Sequence, residues 1–275
     1  MTYREVIREV QGRATVDGAG VHLVRVLGIN TAKDYDPWLM LDSFDATDPS
    51  LYTAGFPMHP HRGIETITYL IEGQMVHQDS LGNKGTINSG ESQWMTAGSG
   101  ILHEEMPLAS PRMLGVQIWL NLPQAEKMTP PRYFDIRESM IPLVREKSAD
   151  VRVVAGEFKG AKGVSPPHVK ATLYDVSLAK GGLLELDTNP EETVFVFLVL
   201  GGITVAGRDI AEKTAALFGP GRRVALEAKK GDARLLFFSG PPLGEGIAWG
   251  GPIVMNTEEE LNLAFKELNN GTFIK

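Results

Sequence analysis

Residues 56–73 read Phe56-Pro57-Met58-His59-Pro60-His61-Arg62-Gly63-Ile64-Glu65-Thr66-Ile67-Thr68-Tyr69-Leu70-Ile71-Glu72-Gly73. The second half of this stretch is an apolar, β-branched run closed by glycine, which reads as a strand. It returns 127 residues later as Glu192-Thr193-Val194-Phe195-Val196-Phe197-Leu198-Val199-Leu200-Gly201. Further on, Gly98-Ser99-Gly100 has a counterpart in Gly219-Pro220-Gly221. Repetition at about half the chain length indicates two similar β-domains in tandem. Short apolar runs at His22–Leu27, Met113–Leu120, Thr172–Leu178 and Ala233–Phe238 add further strands. No ten-residue helical period separates them, so an all-β fold of antiparallel barrels is predicted rather than βαβ winding. One helix is predicted near the end: Thr257-Glu258-Glu259-Glu260 forms a capping box, Leu261, Ala264, Phe265 and Leu268 make one stripe, and Asn269-Asn270-Gly271 stops it. Pro123, Pro130, Pro131 and Pro142 cluster with charge over 121–150, which places the boundary between domains 1–133 and 134–275.

Composition narrows the function. The chain has 275 residues, 27 basic against 34 acidic, for a net charge of −7. That balance argues against nucleic acid or an anionic membrane as a direct partner, because no basic excess exists to neutralise phosphates. With 43% hydrophobic residues, 30 Gly and 17 Pro, the chain suits a turn-rich globular protein and excludes disorder, collagen and a long coiled coil. Cysteine is absent, which excludes disulfides, iron–sulfur clusters, thiolate zinc sites and cysteine nucleophiles. Any metal must be held by nitrogen and oxygen. The first nine residues carry the acidic Glu5 and Glu9 where a secretory signal needs an apolar run. The longest strongly apolar stretch, Val194–Leu200, is too short to span a bilayer. A cytoplasmic, monomeric protein is expected.

The chemistry lies in the histidines. Only six exist, at 22, 59, 61, 77, 103 and 168. In a strand, residues i and i+2 project from one face, so His59 and His61 can converge, with Pro60 requiring an edge strand or a bulge. His103-Glu104-Glu105 repeats the geometry: His103 and Glu105 share a face and Glu104 points away. One His-x-His alone is often a hydrogen-bonded surface pair. Two matched pairs, each beside glycine-rich turns, make a metal site the better reading. Two strands meeting across a barrel would supply three imidazoles and one carboxylate. That set suits a divalent ion with open positions, close to the facial arrangement of non-haem Fe(II) oxygenases.

Phe56–Thr66, together with Gln93-Trp94-Met95-Thr96-Ala97-Gly98-Ser99-Gly100-Ile101-Leu102-His103-Glu104-Glu105-Met106-Pro107, closely resembles the pirin family of the cupin superfamily. The resemblance spans essentially the whole chain. It implies two tandem cupin (jelly-roll-like) barrels with a short C-terminal helix, the first barrel holding one metal through His59, His61, His103 and Glu105. The ion implied is Fe(II) first, with Mn, Ni, Co, Cu and Zn open. The general cupin pattern would instead use Glu65, four residues after His61, which stays the alternative ligand or an orienter of a histidine N–H. The family further implies quercetin 2,3-dioxygenase activity. There a flavonol, or another enediol or phenol, reacts with O2, and Glu105 serves both as ligand and as catalytic proton acceptor. The other reading the resemblance implies is a non-enzymatic, redox-sensitive iron protein acting through a protein partner.

The second domain departs from the pattern. The 127-residue offset puts Leu186 and Thr188 where His59 and His61 stand, and the glycine alignment puts Val224 and Leu226 where His103 and Glu105 stand. Such residues cannot hold a divalent ion, so this domain is expected to be metal-free. His22 and His77 read as ordinary strand histidines and His168 as a loop residue. Trp94, Trp119, Phe44 and Phe56 read as core, with one or two at the mouth of a pocket.

Overall fold

A computed structural model describes residues 2–275. The strands begin with β1 (Val6–Gln11), β2 (Arg13–Asp17), β3 (Val21–Leu27), β4 (Trp38–Ala46), β5 (Phe56–His61) and β6 (Ile64–Glu72), and the apolar runs at 22–27 and after Gly63 fall in β3 and β6. They are followed by β7 (Gln74–Asp79), β8 (Lys84–Asn88), β9 (Ser92–Thr96), β10 (Ile101–Pro107), β11 (Met113–Asn121) and β12 (Arg132–Ile136). Two sheets build the first barrel, a four-stranded one in the order β5-β10-β7-β8 and a seven-stranded one in the order β12-β9-β6-β11-β4-β3-β2. As Pro60 requires, β5 is an edge strand. Along β10 burial alternates strictly: Ile101, His103, Glu105 and Pro107 face in, and Leu102, Glu104 and Met106 face out.

A second pair of sheets repeats the plan. Its larger sheet centres on Thr193–Leu200, Ala233–Gly240 and Thr172–Leu178, and its smaller one pairs Leu183–Asp187 with Arg223–Glu227. One continuous apolar core fills this barrel, including Leu184, Leu186, Val224 and Leu226.

The compact units are not the linear halves 1–133 and 134–275. Among the described residues, one comprises 14–32, 38–137 and 243–275; the other comprises 2–13, 33–37 and 138–242. The exchange of ends has a plain cause. β1 completes the large sheet of the second barrel by pairing with Thr214–Phe218. The last thirty-odd residues pack in the unit of the first barrel as a hairpin, Ala248–Gly250 with Ile253–Met255, and helix α1 (Glu258–Asn269). Helix α1 starts on the expected capping box: Thr257 accepts from the Glu260 N–H, and the Glu260 carboxylate accepts from the Thr257 N–H. Its apolar stripe, Leu261, Ala264, Phe265 and Leu268, packs with Phe273.

Arg62 ties this segment to β5. Its buried guanidinium donates to the Ser99 and Phe273 carbonyls and to Glu267, and lies 4.2 Å over the Phe273 ring. Beside it, Gly63 adopts φ +78°, and a Cβ there would sit 1.9 Å from the Val254 carbonyl oxygen. Only glycine allows the hairpin to approach so closely.

Candidate metal centre

His59 and His61 share the inner face of β5, and His103 and Glu105 that of β10. These strands are neighbours in one sheet, not opposite walls of the barrel, and His103 stands directly across from His59 in the register. Close pairing of inward-facing side chains brings the three rings together. Their centroids lie 4.4 Å (His59–His103), 4.8 Å (His59–His61) and 5.0 Å (His61–His103) apart. One nitrogen of each falls within 4.8 Å of the others.

Hydrogen bonding fixes which nitrogens these are. His59 Nδ1 lies 2.8 Å from the Pro57 carbonyl and His61 Nδ1 lies 2.9 Å from the Pro252 carbonyl. A carbonyl only accepts, so both Nδ1 atoms carry the proton and both Nε2 atoms present a lone pair. Those two Nε2 atoms face each other at 3.1 Å. Two bare lone pairs at that distance repel unless a cation lies between them. His103 Nε2 is buried without a hydrogen-bond partner. Burial pushes His61 down to about 3 and pulls His103 well below the usual imidazole range, and the neighbouring imidazoles add to both. Burial at these two positions thus favours the neutral ring, the form that ligates a metal. Three convergent imidazole nitrogens fit a divalent first-row ion, and the absence of thiolates leaves its identity open.

Glu105 does not join the three-nitrogen cluster. Its buried carboxylate is held from the facing sheet: Thr68 Oγ donates to Oε1 at 2.7 Å, Gln93 Nε2 donates to the same oxygen, and Gln117 Nε2 donates to Oε2. Such fixed donors satisfy the buried oxygens and orient the carboxyl group. Sequence patterning missed all three, although Thr68 and Gln117 interrupt otherwise apolar buried strands, and a polar residue there signals a partner.

Glu65 lies elsewhere. It pairs in register with Thr96 and accepts from Thr96 Oγ1 at 2.7 Å. Thr68, on the other face of β6, is the residue that reaches Glu105, so Glu65 projects away from the imidazoles. A spacing of four would put Glu65 and His61 on one face of a continuous strand, but the Arg62-Gly63 turn intervenes, and pleat parity does not carry from one strand to the next. His22 is exposed and His168 half-buried in a loop. His77 is fully buried beside His103.

A cavity of about 670 Å³ opens on the imidazoles. Met40, Phe56, Trp119 and Trp249 give it apolar walls, Gln117 lines it near Glu105, and His59 and His61 lie along it. Trp94 and Phe44 are plain core, whereas Phe56 and Trp119 reach the cavity. At one edge Arg25 forms a two-pronged ion pair with buried Asp42 (2.9 and 2.7 Å) and reaches Asp17 at 2.6 Å. The size and the mixture of apolar wall and few polar groups suit one small organic ligand. Among the described residues no helix is long and apolar enough to cross a membrane.

Comparison with known proteins agrees with this architecture. Residues 20–120 match the family described as Pirin, and residues 173–274 match the Pirin C-terminal cupin domain. A pirin-like protein of Caulobacter vibrioides is 41% identical, covering 99% of this chain and 100% of its own length. A pirin-like protein of Solanum lycopersicum is 35% identical over 98% of this chain and 92% of its own. The crystal structure of quercetin 2,3-dioxygenase from Acinetobacter baumannii superposes with a TM-score of 0.92 at 33% identity, covering 99% of both chains.

Proposed function

The chain belongs to the pirin family, and from that premise we propose that its first barrel is an iron-dependent dioxygenase centre of the quercetin 2,3-dioxygenase type. The observation that carries the reading is the convergence of the His59, His61 and His103 nitrogens at an apolar cavity with Glu105 fixed on the same face of β10. A similar protein whose structure bears the name quercetin 2,3-dioxygenase supports the substrate class.

His59, His61 and His103 would hold the ion, and Glu105 is the fourth candidate ligand. Bound there, Fe(II) supplies Lewis acidity and an accessible redox couple to a flavonol 3-hydroxyl and O2. The chain's own residues do the rest. Glu105 accepts the 3-hydroxyl proton, while Thr68, Gln93 and Gln117 hold its oxygens in place. Trp119, Trp249 and Phe56 cover the flat aromatic rings and exclude water. The net change consumes one O2, opens the central ring and releases one CO.

Iron-loaded protein incubated with quercetin, in air and under nitrogen, tests this. Flavonol loss with stoichiometric CO only in air is expected. Equal loss without oxygen overturns the dioxygenase reading, and no loss despite retained iron favours a regulatory role through a protein partner.

A further inference from the structure

Two of the three imidazoles have their tautomer set by a backbone carbonyl, Pro57 for His59 and Pro252 for His61. His103 has no such carbonyl. Its Nδ1 faces instead the Nδ1 of His77, 3.5 Å away. His77 is fully buried on β7, in register with Glu105, and its ring stacks on Tyr133 at 3.9 Å and 10°. On its far side His77 Nε2 lies 3.2 Å from Asp79 Oδ2.

The direction of this chain follows from Asp79. Its Oδ1 accepts from the Leu81 and Asn83 N–H groups at 2.9 and 3.0 Å, and its Oδ2 accepts from Asn83 Nδ2 at 2.9 Å. A carboxylate taking donors on both oxygens is an acceptor toward His77 as well, so His77 carries its proton on Nε2. With its one proton on that side His77 is bare at Nδ1, and the proton between the two rings belongs to His103 Nδ1. That leaves the lone pair of His103 on Nε2, the buried atom without a hydrogen-bond partner, in a ring whose centroid lies 4.4 and 5.0 Å from those of His59 and His61. We infer that Asp79 and His77 are positioning residues that lock His103 into its metal-ligating tautomer, in the role that backbone carbonyls play for the other two imidazoles. A carboxylate or acceptor behind a ligating histidine fixes ring orientation and raises ligand basicity. The inference rests on the reading of this cluster as a metal centre.

The test uses the full chain with Zn2+ alone, titrated against a chromophoric chelator, and long-range 1H–15N spectra of the Zn2+-loaded protein. His77→Phe keeps the stack on Tyr133 and removes the acceptor; Zn2+ affinity is expected to fall roughly 10–100-fold. His77→Gln, whose amide can accept from His103 and donate to Asp79, should restore most of it. The wild-type spectra should show His77 protonated at Nε2 and bare at Nδ1. Unchanged affinity in His77→Phe, or a proton on His77 Nδ1 in the wild type, overturns the inference. The spectra decide it even if the variant does not fold. Failure of the wild type itself to bind Zn2+ would instead remove the metal-centre reading.

Discussion

Where the first barrel pairs His103 with His59 across β10 and β5, the second pairs Val224 with Leu186 across Arg223–Glu227 and Leu183–Asp187. The register is the same and both pairs face inward. In the second barrel Leu184, Leu186, Val224 and Leu226 close the interior into one apolar core. In the first, three imidazoles and a carboxylate occupy that place, and a cavity of about 670 Å³ stays open beside them. The difference separates what the fold requires from what the chemistry requires. A jelly-roll needs inward side chains of suitable volume; it does not need them polar. Polar ones must be satisfied, which explains the partners spent on them in the first barrel: two carbonyls, His77, Thr68, Gln93 and Gln117.

This contrast can be broken in several ways. The largest effect is expected at Glu105. Glu105→Gln removes the proton acceptor and should lower flavonol turnover by roughly 10²–10⁴-fold, measured as initial rates on iron-loaded protein. The mirror change in the second barrel, Leu226→Gln, should leave turnover per bound iron unchanged and act on stability alone. Equal losses of rate in both would dissolve the distinction. Next comes packing. Leu186→Ala opens a hole in a continuous core and should cost about 2–5 kcal/mol in denaturant unfolding, with metal content unaffected.

A third prediction concerns pH. His61, pushed down to about 3 by burial, binds its proton more weakly folded than unfolded, where its value is near 6.5. The unfolded chain therefore takes up more protons between these values, and the metal-free first barrel loses stability as pH falls below about 6.5. The slope for this imidazole approaches on the order of 1 kcal/mol per pH unit. Unfolding curves at pH 7, 6 and 5 should show it, and His61→Leu should flatten it. The smallest effect is expected at the helix cap. Thr257→Ala removes the bond to the Glu260 N–H and should cost about 1 kcal/mol, read as a shift in the unfolding midpoint of the unit that holds α1.

The core strands, the repeat and the shared inward faces of the two triplets were legible because pleat parity is a property of neighbouring residues. His59-Pro60-His61 and His103-Glu104-Glu105 each carry their geometry within three positions. Leu186 and Val224 could be matched to His59 and His103 for the same reason, and the register pairs them. What stayed hidden is non-local. The acceptor for His61 is a main-chain carbonyl 191 residues away, and every residue has such a group. Glu65 shows where parity stops, at the Gly63 turn. The ends of the units followed neither proline nor charge, because β1 pairs with Thr214–Phe218 and the C-terminal hairpin with Arg62. His77 read as an ordinary strand histidine, since nothing nearby in sequence announces His103 as its neighbour.

The most direct test is iron per chain, by elemental analysis of desalted protein after anaerobic loading, for the wild type and for His59→Ala/His61→Ala/His103→Ala. One ion per wild-type chain and none in the triple variant is the expected result. An undiminished one-to-one ratio in the variant would place the metal elsewhere and contradict the account.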